Sequence, residues 1–171
     1  LFMRLIPTTN SMRIFPKMSN VVTNNYRTDQ VSLPTQARDM NIRLTVNDNH
    51  KYNFNGTQVN ASGTNSDDLK VTVVGTGPFT VNAPNNGTEN WTTGQNVTVN
   101  WSVAGTNVAP ISCGVVDIML SMDGGLTYPY TLVNSTVNDG TQTFALPTSI
   151  PASNQARIRV ECDSYENLRF F

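Results

Sequence analysis

Apolar residues in this chain recur at every second position, in short runs broken by Asn, Gly and Pro. Between 115 and 133, Val116, Ile118 and Leu120 alternate with Asp117, Met119 and Ser121. That is the two-residue period of a half-buried strand. Asp123-Gly124-Gly125 follows, and paired glycines accept the positive φ values of a tight hairpin. Tyr128, Tyr130 and Leu132 resume the alternation on the return strand. The same period marks Met40, Ile42, Leu44 and Val46, then Val97, Val99, Trp101 and Val103, then the run 156–161. Further strands are expected at 1–6, 12–15, 68–74, 79–83, 142–146 and 168–171, with a weaker one at 52–54. The Asn- and Gly-rich stretch 47–66 reads as a long loop around it, and 20–30 reads as another. No segment carries a convincing helical period.

Gly75-Thr76-Gly77-Pro78 reads as a linker and divides the chain into units 1–77 and 78–171. The first has three or four strands, too few to close a sandwich. An apolar face and an edge are left unpaired, which makes an edge-strand dimer a candidate assembly and places the module's opening strands before Leu1. The second unit has seven short strands and an inward Trp on an early one. The expected fold is all-β: an immunoglobulin/fibronectin III-like β-sandwich preceded by a partial β-sandwich module.

Composition removes some classes of partner. The formal net charge is −1, so no basic field points to nucleic acid. No run approaches the roughly 20 apolar residues of a membrane-spanning helix, so membrane insertion is not expected. The first residues, LFMRLIP, lack the apolar core and cleavage site of a signal peptide.

The chemistry-bearing residues are few. Ser121-Met122-Asp123-Gly124-Gly125-Leu126-Thr127-Tyr128 resembles the Asp-box, S-x-D-x-G-x-T-aromatic. Asx-type turn bonding explains Asp123, Gly124 and Gly125 as a structural turn, against the alternatives of a metal ligand or a catalyst. Cys113 precedes one expected strand and Cys162 ends another. If those strands are antiparallel neighbours, a disulfide is within reach, as suits an exported protein; two buried thiols are the alternative. Asp48, Asp67 and Asp68 flank the expected loop, where oxygen ligands suit a structural Ca²⁺; turn formation is the competing explanation. Trp91, with Tyr128 and Tyr130, offers a carbohydrate-stacking surface, against which stands core or turn packing, the reading that the large apolar area of aromatics favours. The single histidine, His50, is flanked by Asn and Lys and is read as a solvated loop residue. No nucleophile is marked, and no catalytic residue is assigned.

A wider resemblance rests on motifs in order. Gly77-Pro78-Phe79, Gly94-Gln95-Asn96-Val97-Thr98-Val99-Asn100-Trp101, Val116-Asp117-Ile118, Ser121-Met122-Asp123-Gly124-Gly125 and Ala156-Arg157-Ile158-Arg159-Val160 follow one pattern. It resembles the C-terminal PKD/Ig-like β domains of secreted reprolysin-like zinc metallopeptidases from marine and gliding bacteria. Phe2-Met3-Arg4, Arg13-Ile14-Phe15-Pro16, Leu33-Pro34, Ala37-Arg38 and Thr45-Val46-Asn47-Asp48-Asn49 are similar to the domain just upstream in that family. The resemblance implies a secreted, extracellular precursor with an upstream catalytic domain. This chain has no H-E-x-x-H, begins inside the upstream module and stops inside the last strand of the pattern. The implied role is a non-catalytic accessory or docking region, with a protein substrate or a cell-surface glycan or protein as partner. An adhesin module for carbohydrate or cell surfaces is the alternative.

Overall fold

A computed structural model describes residues 14, 16–23, 25, 34, 36–75 and 77–163. The protein is all-β, built from antiparallel sheets. The chain forms two compact units: 34–75, and 1–33 together with 76–171. The second grouping differs from the division expected from the linker alone. Its basis is visible at 16–23, where the Arg157 Nη1 donates to the Val22 carbonyl at 3.0 Å. The expected strands at 1–6 and 168–171 lie outside the described residues, as does 12–15 apart from Ile14. The expected loop at 20–30 is described only at 20–23 and 25, and it overlaps one helical turn, α1 (Met18–Val21). A single turn is too short to print a helical period in sequence.

The unit 34–75 is a two-stranded antiparallel ribbon. β1 (Arg38–Asn47) pairs with β4 (Thr64–Val73), from Arg38↔Val73 to Asn47↔Thr64. β2 (Lys51–Phe54) pairs with β3 (Thr57–Asn60), from Lys51↔Asn60 to Phe54↔Thr57. Three residues, 48–50, face three, 61–63, so one register runs through the interruption. The tip is Asn55-Gly56, at φ +50° and +80°, the left-handed pair that closes a two-residue hairpin. The long loop expected at 47–66 is therefore mostly strand. Of its Asn and Gly residues, Asn55 and Gly56 form the tip and Asn49 and Gly63 lie at the interruption, while Asn47, Asn53, Asn60 and Asn65 are in the strands.

The larger unit is a β-sandwich. β5 (Thr80–Ala83), β6 (Asn96–Ser102) and β9 (Thr141–Ala145) form one sheet in the order β5-β6-β9. β7 (Val115–Ser121), β8 (Tyr130–Val137) and β10 (Arg157–Cys162) form the other in the order β10-β7-β8. Both sheets feed one core. Val99 and Trp101 from the first meet Val116, Ile118 and Val160 from the second, and each is at most 3% exposed. A second cluster, Val97, Leu120, Leu146 and Ile150, continues the core beside it. The alternation in β6 and β7 is thus burial: Val97, Val99 and Trp101, and Val116, Ile118 and Leu120, are buried at every second position.

The turn after β7 is wider than a tight hairpin. β7 ends at Ser121 and β8 begins at Tyr130, so 122–129 form a loop, and Tyr128 belongs to it rather than to the return strand. The diglycine is used inside this loop.

Candidate functional site

Loops at the two ends of the sandwich carry its polar chemistry. At one end, the 122–129 loop is organised around Asp123. Its Oδ1 accepts hydrogen bonds from the Leu126 and Thr127 amides, both at 3.0 Å, and from the Ser121 hydroxyl at 2.7 Å. Its Oδ2 accepts from the Thr127 hydroxyl at 2.6 Å. The Ser121 Oγ in turn accepts from the Gly125 amide at 2.8 Å. These donors, the Thr127 hydroxyl first, hold the Asp123 carboxyl well below the usual carboxylate range. Every oxygen of the carboxylate is occupied inside the turn, which is the chemistry of a fastener.

Gly125 sits at φ +94°, and a Cβ there would meet Val22 Cγ1, Arg157 Cδ and Tyr128 Oη at 3.0–3.1 Å. Both conformation and space require glycine at this one position. Tyr128 lies against Arg159, whose guanidinium is 4.1 Å from the ring centroid. Arg159 Nη2 also pairs with Glu161 Oε2 at 3.0 Å, two residues along β10. Burial pushes the Tyr128 hydroxyl up, and the nearby arginines oppose that rise. The aromatic of the motif therefore roofs an ion pair.

At the other end, Cys113 and Cys162 form a disulfide, with Cα atoms 5.8 Å apart. It joins the segment entering β7 to the end of β10, where Cys162 is opposite Val116. Beside it stands Asn138, 1% exposed. Its Oδ1 accepts from Trp101 Nε1 at 2.8 Å. Its Nδ2 donates to the Cys113 carbonyl at 2.9 Å and to Thr106 Oγ1 at 3.0 Å. Its backbone amide donates to the Gly114 carbonyl at 3.0 Å. The sequence marks Asn138-Asp139-Gly140 only as a turn. The missed signal was Trp101: a core indole keeps an N–H that needs an acceptor.

The calcium candidates are not brought together. Asp67 pairs with Leu44 and Asp68 with Arg43, so they occupy opposite faces of the ribbon. Asp68 is held by Arg43 in a two-pronged ion pair at 2.6 and 2.8 Å, which also lowers its pKa. Asp48 Oδ1 accepts from the His50 and Gly63 amides at 3.0 Å each and ties the interruption in the ribbon. Among the described residues, no three His, Cys, Asp or Glu side chains group as metal ligands. His50 is exposed on the ribbon.

The stacking candidates are dispersed into packing. Trp91 is half-buried and touches both core clusters. Tyr130 packs on the second cluster and Tyr128 covers Arg159. Among the described residues, β1 and β4 pair only with each other along their length.

No family model, curated protein or solved structure matches the chain.

Proposed function

We propose that this chain is a non-catalytic accessory region of a secreted bacterial metallopeptidase, a spacer that docks the enzyme to a protein substrate or to the cell surface. The observation that carries it is the division of labour between the two units. The sandwich satisfies its own polar groups and is tied by a disulfide, as suits an oxidising, extracellular setting. The ribbon instead presents apolar side chains to solvent, which is what an attachment element requires. The motif order along both units supports placement in the metallopeptidase architecture.

The test is the reading frame upstream of Leu1. An H-E-x-x-H with a third histidine downstream supports the proposal, and β modules without a zinc motif refute it. The adhesin reading keeps one observation in its favour, the partly exposed Trp91. Saturable glycan binding by the isolated chain, abolished in Trp91→Ala with the fold intact, selects the adhesin.

A further inference from the structure

The β1–β4 ribbon is amphipathic along its length. One alternation class holds Met40, Ile42, Leu44 and Val46 on β1, with Leu69, Val71 and Val73 opposite on β4. In the same register it continues through Tyr52 and Phe54 on β2 and Val59 on β3. The other class is polar throughout, and four of its five charges are matched within the ribbon, Lys51 being the fifth. Arg43 holds Asp68, and Lys70 reaches Asp39 at 2.7 Å. A two-stranded ribbon is marginal alone in water, and one apolar face needs a cover.

We propose that this face is a homotypic interface: it packs face to face on the same ribbon of a second copy of the chain. The area supports that occupant. Leu44, Val46, Tyr52, Phe54, Val59 and Leu69 are 41–66% exposed. Together they leave on the order of 600 Å² of apolar surface in water, the upper end for the largest patch on a monomer. Two such faces laid together remove about 1,200 Å², where specific interfaces begin.

Charge distribution supports it too. The polar face pairs four of its five ions within the ribbon and so needs little from a partner. The β1 stripe from Met40 to Val46 carries no charge and meets its own copy without repulsion. The face's charged members are Arg38, at the ribbon's end, Asp67, on the β4 side, and Asp48, in the interruption between Val46 and Tyr52. None lies within the stripe from Met40 to Val46. Two stacked ribbons about 10 Å apart form a small four-stranded sandwich, which supplies the second layer that each lacks. The inference goes beyond the accessory reading and stands if that reading fails.

Sedimentation velocity on the whole chain, across a range of micromolar concentrations, tests it. A reversible dimer is expected. Leu44→Asp and Leu69→Asp should each weaken it at least ten-fold, while Thr45→Asp, on the polar face, leaves it intact. The urea midpoint followed by tryptophan fluorescence should be unchanged in all three, since both tryptophans lie in the sandwich. A chain that stays monomeric throughout overturns the proposal, as does a dimer that Leu44→Asp leaves unaffected. A monomer that binds an apolar dye, with binding lost in Leu44→Asp, also overturns it and assigns the face to a partner of different sequence.

Discussion

Asn138→Ala is the sharpest single test of how the sandwich is held. The amide side chain makes three hydrogen bonds in a site that is 1% exposed, to Trp101, Cys113 and Thr106. At about 1 kcal/mol net for each bond, truncation costs about 3 kcal/mol. The true cost lies toward the upper side of that figure, because the Trp101 N–H and the Cys113 carbonyl stay behind, buried and unpaired. With a urea m-value of about 2 kcal/mol/M, the midpoint should fall by about 1.5 M. Trp101→Phe removes the donor from the other side of the pair. In a double-mutant cycle the two changes should couple by about 1–3 kcal/mol, since each removes the bond the other depends on. Asp139→Ala is the control: its exposed carboxylate accepts only the Thr141 amide, at 3.2 Å, and it should cost under about 1 kcal/mol. A cost below about 1 kcal/mol for Asn138→Ala, or additive effects with Trp101→Phe, would refute the hub.

Three further outcomes are expected. Replacing Cys113 and Cys162 together by Ser opens a cross-link spanning 49 residues and should lower stability by about 4 kcal/mol, read as a shifted urea midpoint that reductant no longer moves. Asp123 has its folded pKa depressed, so its contribution is present above the ordinary carboxylate value and is lost as pH falls through the folded one. Melting scans from pH 5 downward should show an acid-side decline that is shallower in Asp123→Asn, and parallel curves would discard the fastener role. Gly125→Ala meets both a left-handed φ and contacts at 3.0–3.1 Å, and should cost about 1–3 kcal/mol, more than Gly124→Ala, whose nearest neighbour is at 3.9 Å.

What the sequence made legible follows from period and burial. In β6 and β7 one face is core and the other is not, so the two-residue alternation of Val97, Val99 and Trp101, and of Val116, Ile118 and Leu120, translates directly into strands. The ribbon tip was harder. Asn55-Gly56 lies between Tyr52/Phe54 and Val59, a strong hairpin signal, yet the surrounding Asn and Gly residues made 47–66 resemble a loop. The diglycine misled in the other direction. Asp123-Gly124-Gly125 signals a tight hairpin, but Ser121 and Asp123 accept the Gly125, Leu126 and Thr127 amides of a longer loop, which displaces the start of β8 to Tyr130. Asn138 was illegible because its partners are far away in sequence, 25 to 37 residues, and a turn signal explained the local residues completely.

The two ends of the sandwich are fixed by different means. At the Cys113 end, the disulfide, the Asn138 hub and the Cys113 amide, which donates to the Thr106 carbonyl at 2.8 Å, pin one short segment. At the Asp123 end, the Ser153 hydroxyl donates to the Met122 carbonyl at 3.1 Å and the Gly124 amide to the Gln155 carbonyl at 3.0 Å, locking the 122–129 loop to the segment before β10. Loops free to adapt to a ligand keep polar groups unspent; these have turned many of theirs inward on the fold. Among the described residues, six of the nine large exposed hydrophobics, at positions 44, 46, 52, 54, 59 and 69, belong to the ribbon, and Val108, Leu126 and Val137 belong to the sandwich. The proposed recognition by this chain is therefore expected to run through the apolar β surface of the ribbon.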